Sequence, residues 1–192
     1  MAGSYIGMKL SPHLLFDARV AWGTSQNDIS LTDAMAGTRT GSVDTTRWLA
    51  TATLTGNYQR GPWRLSPQAG LAYGNEKYDD YTNSLGQVVS GSDISIGRFT
   101  VGGEIGYGVV LKDGTLVEPH IGLTGIWNFH SDELVTDGAT VTPNSTHAKV
   151  EGGVTFRSPS GASMRAAVAY DGIGDNNLSA TTGKLWLNLP LR

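Results

Sequence analysis

The chain has no cysteine among its 192 residues. That excludes a disulfide framework, thiolate chemistry and Cys-based metal sites. It also lacks any apolar run of the roughly 18 residues that a membrane-crossing helix needs. The opening Met1-Ala2-Gly3-Ser4-Tyr5 has no basic stretch followed by an apolar one, so it carries no secretory signal. Charge of one sign is scarce too: the net charge is −3. No basic excess points to nucleic acid, and no long single-sign run marks a disordered tail. Proline is sparse at 7 residues and glycine abundant at 26 without a Gly-X-Y period, a balance that fits many strands and many turns.

What is present is period-two alternation. Five segments carry it clearly: Leu14 to Trp22, Trp48 to Tyr58, Trp63 to Tyr73, Phe99 to Leu111 and Val117 to Phe129. In Leu14 to Trp22, for example, Leu14, Phe16, Ala18, Val20 and Trp22 share one face, and Leu15, Asp17, Arg19 and Ala21 the other. Shorter segments run near Tyr5–Leu10, Ala148–Phe156, Ala162–Tyr170 and Lys184–Leu191. The pattern therefore predicts nine strands and no substantial helix. Short turns lie at Ser11-Pro12-His13, Arg60-Gly61-Pro62, Lys112-Asp113-Gly114 and Ser158-Pro159-Ser160-Gly161. The Asp-Gly pair is a strong hairpin signal because glycine accepts positive φ. Long polar loops are expected near 24–46, 75–95 and 131–146, with a shorter one near 173–181. Short turns at one end and long loops at the other is the pattern of an outer-membrane barrel, with the short turns periplasmic.

A soluble β-sandwich also alternates, with its apolar face inward. Two features favour the membrane. Aromatics stand at both ends of the apolar faces: Trp48 and Tyr58 bracket one strand, Trp63 and Tyr73 the next. A spacing of ten residues at ~3.3 Å each, tilted by ~40°, rises roughly 25 Å, the height of the apolar band of such barrels. Trp22, Trp127 and Tyr170 are read as further membrane-interface aromatics. The polar faces, in turn, hold isolated charges of both signs among Thr, Ser, Gly and Ala, which suits a narrow lumen where opposite charges pair. The expected lumen-lining residues are Arg19, Arg47, Arg98, Glu104, Glu118, His120, Lys149, Glu151 and Arg165, with Gly102 and Gly106. Gly70, Gly74, Gly122 and Gly153 share that face, marking either close approach of another segment or a bend.

Catalytic and metal readings find little support in the pattern. His120 and His130 are expected on one polar face but ten residues apart, too far for one metal ion. A lipid-cleaving barrel needs a Ser/His pair on its membrane face, and no His is expected there. A rim protease would draw on Asp79, Asp80, Asp93, His130 and Asp132. Acidic rim loops are more often solvated, or bind divalent cations and lipopolysaccharide. Asn144-Ser145-Thr146 matches a glycosylation acceptor. It carries little meaning in a bacterial outer membrane. No catalytic residue, metal or cofactor is expected.

Three stretches carry a family resemblance. Gly-Pro-Trp-Arg-Leu-Ser-Pro-Gln-Ala-Gly-Leu-Ala-Tyr (61–73) resembles the L-x-P-x-A-G-L-x-Y strand start of autotransporter translocator domains. Phe99 to Gly125, with Gly103-Glu104-Ile105-Gly106-Tyr107 and Leu116-Val117-Glu118-Pro119-His120-Ile121-Gly122-Leu123, resembles the next hairpin. Ala169-Tyr170-Asp171-Gly172 resembles the Y-D-G before the family's final loop. The resemblance implies an all-β, antiparallel up-and-down transmembrane barrel, with nine of twelve strands present and the first strand here equivalent to the family's fourth. It implies that residues 1–192 are the C-terminal part of the barrel domain, the earlier strands, linking helix, passenger and signal peptide lying upstream. The family usually ends on an aromatic residue, whereas this chain ends Pro190-Leu191-Arg192. The implied role is export and surface display of an N-terminal passenger in a Gram-negative outer membrane. The implied partners are outer-membrane lipid, the barrel-assembly machinery and the passenger itself. The alternative is a free-standing small barrel acting as an adhesin or structural protein.

Overall fold

The computed structural model describes residues 1–33, 37–132, 134–136, 139–141, 146–175 and 178–190. Nine long strands form one antiparallel sheet in strict sequence order. They are β1 (Ala2–Ser11), β2 (Leu14–Asp33), β3 (Gly37–Gly56), β4 (Trp63–Tyr78) and β5 (Ser92–Tyr107). Then come β6 (Leu116–Ser131), β7 (Thr146–Arg157), β8 (Ser163–Ile173) and β9 (Ala180–Asn188). Each is hydrogen-bonded only to its sequence neighbours in this order, which is the up-and-down meander of a barrel wall. Among the described residues no ladder joins β1 to β9.

The tight turns form where sequence chemistry permits them. Gly61, Gly114 and Gly161 take φ of +58°, +82° and +89°, a region a Cβ disfavours. At the Asp-Gly turn, Asp113 accepts hydrogen bonds from the amide and hydroxyl of Thr115, both 3.0 Å, and its carboxyl is held below its ordinary pKa by them.

Burial separates the two faces. Leu65, Leu71, Val101, Ile121, Leu123 and Val168 are each at least half exposed, and all stand on one face of the sheet. The only buried apolar residues among those described are Ala21, Val43, Ile126, Ala167 and Ala169. A sandwich would have an interdigitated apolar core between two sheets. Here nothing among the described residues covers the apolar face, as expected of a surface in contact with lipid.

The structure revises several boundaries. The expected polar loop over 24–46 is a β-ribbon, with β2 and β3 paired continuously from Leu14↔Gly56 to Asp33↔Gly37. At ~3.3 Å per residue and a ~40° tilt, 20 residues rise roughly 50 Å, about twice the apolar band. Above the band no lipid demands alternation, so the periodic signal fades while Thr- and Ser-rich sequence continues as strand. The 75–95 loop shrinks likewise, since β4 and β5 reach Tyr78 and Ser92 and enclose a small hairpin of Tyr81–Thr82 with Val88–Val89. In the third loop Leu134–Thr136 pairs with Ala139–Val141, and residues 133, 137–138 and 142–145 lie outside the described residues. At the opposite end, two expected strands are each interrupted by one residue. Asn57 and Gly108 break the ladders and donate their amides to His13 O (2.8 Å) and Pro62 O (2.7 Å).

Candidate functional site: a charged wall on the polar face

Registers across β4 to β9 set the polar face in rows. One row reads Ser66, Glu104, Gly122, Glu151, Ala169. The next reads Arg64, Gly106, His120, Gly153, Ala167, Lys184. A third holds Glu118, Thr155, Arg165 and Trp186. Long charged side chains thus alternate with glycine and alanine, and each ion can lean over the small residue beside it.

The result is one connected ion network. Arg64 bridges Glu104 (2.5 Å) and Glu118 (2.6 Å). Arg165 pairs with Glu104 and with Glu151 (3.2 Å), and Lys184 Nζ lies 2.8 Å from Glu151. Three cations meet three carboxylates, so the network is neutral. His120 sits beneath it with a fully buried side chain, its Nε2 3.9 Å from Glu104. The Nε2 has no hydrogen-bond partner. Glu104, His120 and Glu151 bring ligand atoms within 4.8 Å of one another, a spacing a metal could use. Arg165 already bridges the two carboxylates, however, so a divalent cation would have to displace it against two further cations.

The inward glycines are spacers within this network. A Cβ on Gly106 would stand 2.8 Å from Glu118 Oε1, and one on Gly153 2.6 Å from His120 Nε2. At Gly102 it would meet backbone, 2.2 Å from Leu123 O. The space over these three is therefore taken by this wall's own atoms. Gly122 is different: its nearest contact would be 3.4 Å away, and it borders an open concavity of about 560 Å³.

The other polar-face positions lie apart from the network. Arg47 pairs with Glu76 at 2.9 Å near the ribbon, and Tyr78 donates to the same carboxylate at 2.9 Å. Arg98 donates to Asn128 Oδ1 at 2.9 Å. Arg19, on β2 opposite Tyr5 and Thr51, makes no ion pair among the described residues, and neither does Lys149. Lys149 lines the concavity together with Trp186, Thr124 and Gln68. Alternation in the sequence places Arg64 and Lys184 among the polar-face charges and Trp186 beside Lys184, but only the structure joins them to this site.

The aromatics expected at the membrane interface lie on the apolar face. Trp22 pairs opposite Trp48, and Trp48 stacks on Tyr73 with ring centroids 5.0 Å apart. Toward the short turns, Trp63 meets Tyr107 edge-on at 4.8 Å, and Tyr58 stacks on His13. Trp127 packs edge-on against Phe129 at 6.2 Å, and Tyr170 is exposed on β8.

His130 does not share a face with His120, correcting the sequence expectation. A bulge between Asn128 and His130 sets His130 opposite Gly97, which in turn pairs with Tyr73. His130 therefore stands on the apolar side, stacked on Tyr73 at 6.1 Å. Glycine at 97 makes room, because Phe129 lies over it at 2.3 Å from where a Cβ would be. His130 Nε2 is 2.9 Å from Ser95 Oγ, so a Ser/His pair does exist at this rim. Yet Asp132 contacts the serine rather than the far ring nitrogen: its Oδ2 accepts from Ser95 N (2.6 Å) and Oγ (2.7 Å). A hydroxyl that donates to a carboxylate is not donating to the histidine, and it lacks the activation a nucleophile needs. The group works as a clasp that ties the end of β6 to β5. Asp79 and Asp80 lie elsewhere, by Lys77 and the amide of Gly91.

No curated protein matches the chain. Among solved structures, the beta domain of the Bordetella autotransporter BrkA is similar over 96% of this chain and 81% of that one, at 13% identity and a TM-score of 0.41. The family model for the autotransporter beta-domain matches residues 1–169, and the chain belongs to that family.

Proposed function

We propose that this wall, with the upstream strands that complete the barrel, carries an N-terminal passenger to the cell surface. As an autotransporter beta-domain the chain belongs to a Gram-negative outer-membrane barrel, the translocator of type V secretion. The observation that supports passenger export is the division of the sheet: uncovered aliphatic side chains on one face, paired charges on the other. Such a division suits lipid outside and a wet lumen inside. The polar face is read as the lumen wall and the rim aromatics as its interface belt. Residues 1–192 are read as the C-terminal part of the domain. Lipid and the barrel-assembly machinery are its partners during insertion. Export is a transport step that breaks no bond, and the connected ion pairs serve to hold the wall open and curved.

The test uses the full-length protein in intact cells. The passenger should become accessible to external protease. A single cysteine at Asn83 should react with an impermeant reagent, and one at Gly161 should not. A barrel that inserts with this topology while its passenger stays protected would overturn the proposal.

A further inference from the structure

The two ends of the apolar face differ in charge. Beyond Tyr73 at the long-loop end, Lys77 stands opposite Asp93 in register and 3.6 Å from Asp79, so its charge is met. At the short-turn end, Arg60 stands opposite Trp63 and makes no ion pair among the described residues. Lys112, on the next turn, makes none either. Two backbone bonds set these turns side by side: Asn57 donates its amide to His13 O at 2.8 Å, and Gly108 donates to Pro62 O at 2.7 Å. The one carboxylate on the short turns is Asp113, and it is occupied by the amide and hydroxyl of Thr115. The whole chain has a net charge of −3, so the basic character of this rim is local.

Aromatic rings surround Arg60. Trp63, its register partner, meets Tyr107 edge-on, and Tyr58, opposite Leu65, stacks on His13 at 5.5 Å. His13 is held in turn, its Nδ1 lying 3.1 Å from Asn57 O. A carbonyl only accepts, so this nitrogen carries the hydrogen and the ring is fixed beneath Tyr58. Further along the same face Leu65 and Ile105 pair in register, and both are exposed. Amphipathic rings of this kind sit at the level of lipid headgroups. A guanidinium among them presents a planar fork that matches phosphate through two parallel N–H···O contacts. A phosphate receptor directly above exposed aliphatic side chains has the two-part chemistry of a phospholipid.

We propose that the short-turn rim around Arg60 is a docking surface for acidic phospholipid, its phosphate received by Arg60 with Lys112 beside it and its acyl chains along Leu65 and Ile105. This rests on the reading of the short turns as periplasmic, where the adjoining leaflet is phospholipid, and it names the headgroup class that the rim favours. A zwitterionic headgroup offers the same phosphate, but its own ammonium opposes Arg60. The long-loop end, where Lys77 is already paired, has no such preference.

The experiment uses the full-length protein in phosphatidylcholine bilayers, with Trp63 as the only tryptophan of the barrel and phenylalanine at the other tryptophan positions. Quenching by brominated phosphatidylglycerol is compared with quenching by brominated phosphatidylcholine at equal mole fraction. The phosphatidylglycerol should associate at least about threefold more strongly, since one cation near an anionic surface is worth about fivefold. The same comparison with Trp48 as the only tryptophan should show no preference. High salt should shrink the preference at Trp63, because the screening length falls. Arg60→Gln with Lys112→Gln should abolish it, and Arg60→Lys should keep most of it. Equal quenching of Trp63 by the two lipids, or a preference that survives the double substitution, would overturn the inference. So would labelling of a Gly161 cysteine from outside intact cells, because this rim would then face lipopolysaccharide. A passenger that stays protected while the Trp63 preference holds would instead sink the export reading and leave this one standing. Compact migration on an unboiled gel checks that each variant has folded.

Discussion

Arg165 on β8 and Glu104 on β5 are three strands apart, yet their side chains meet, with Nη1 3.2 Å from Oε1. In a flat sheet three strand spacings, with the four residues along β8 between Arg165 and Ala169, which lies in line with Glu104, would separate their backbones by roughly 19 Å. The contact therefore reports strong curvature, and Arg64 reaching from β4 to Glu118 on β6 reports the same bend. The small residues Gly122, Ala169, Gly106 and Gly153 lie on the inside of that bend, where bulk would keep the ions apart.

Glu104→Gln should weaken the barrel more than the removal of any other single charge on this wall. It leaves Arg64 and Arg165 short of a shared acceptor, and each lost charge-assisted contact costs about 1–3 kcal/mol. Urea unfolding in detergent, followed by tryptophan fluorescence, measures this. Arg47→Gln, which breaks a more exposed pair near the ribbon, should cost under about 1 kcal/mol. Equal midpoints for the two variants would contradict a central role for the network.

Glycine substitutions should sort by backbone proximity. Gly102→Ala forces a Cβ against Leu123 O and should destabilise by about 1–3 kcal/mol. Gly152→Ala and Gly183→Ala meet nothing within 4 Å and should be neutral or slightly stabilising. The yield of compact, heat-modifiable protein on unboiled gels distinguishes them.

The five tryptophans should divide four to one in lipid contact. In single-tryptophan variants, Trp22, Trp48, Trp63 and Trp127 should be quenched by brominated lipid, and Trp186 by aqueous iodide instead. Strong quenching of Trp186 by lipid would reverse the assignment of faces on β9.

The rim clasp should be acid-labile. Ser95 donates its hydroxyl and amide to Asp132, and these bonds hold that carboxyl below its ordinary 3.8. A depressed folded pKa means the stabilisation is present above the unfolded value and is lost as pH falls through the folded one. Hydrogen exchange at the Ser95 amide should accelerate, beyond its intrinsic pH dependence, as pH drops below about 4. In Asp132→Asn the amide should exchange fast throughout. A wild-type amide that stays protected in acid would rule out the carboxylate as the holding group.

The sequence by itself determined the nine-strand meander, its two-faced character and the sites of its tight turns. Lipid imposes strict alternation, and Asp-Gly and Pro-containing turns leave local marks, so both are legible residue by residue. Alternation also placed Glu104, Glu118, Glu151 and Arg165 on one face. Only the tertiary structure decided which of these charges meet, because a partner three strands away depends on curvature, and curvature depends on small residues spread over β5 to β8. It likewise decided the face of His130, since one extra residue in a ladder shifts every later side chain to the other side. The ribbon above the membrane escaped the periodic signal for the opposite reason: with water on both sides, nothing requires its residues to alternate, and backbone pairing alone holds it.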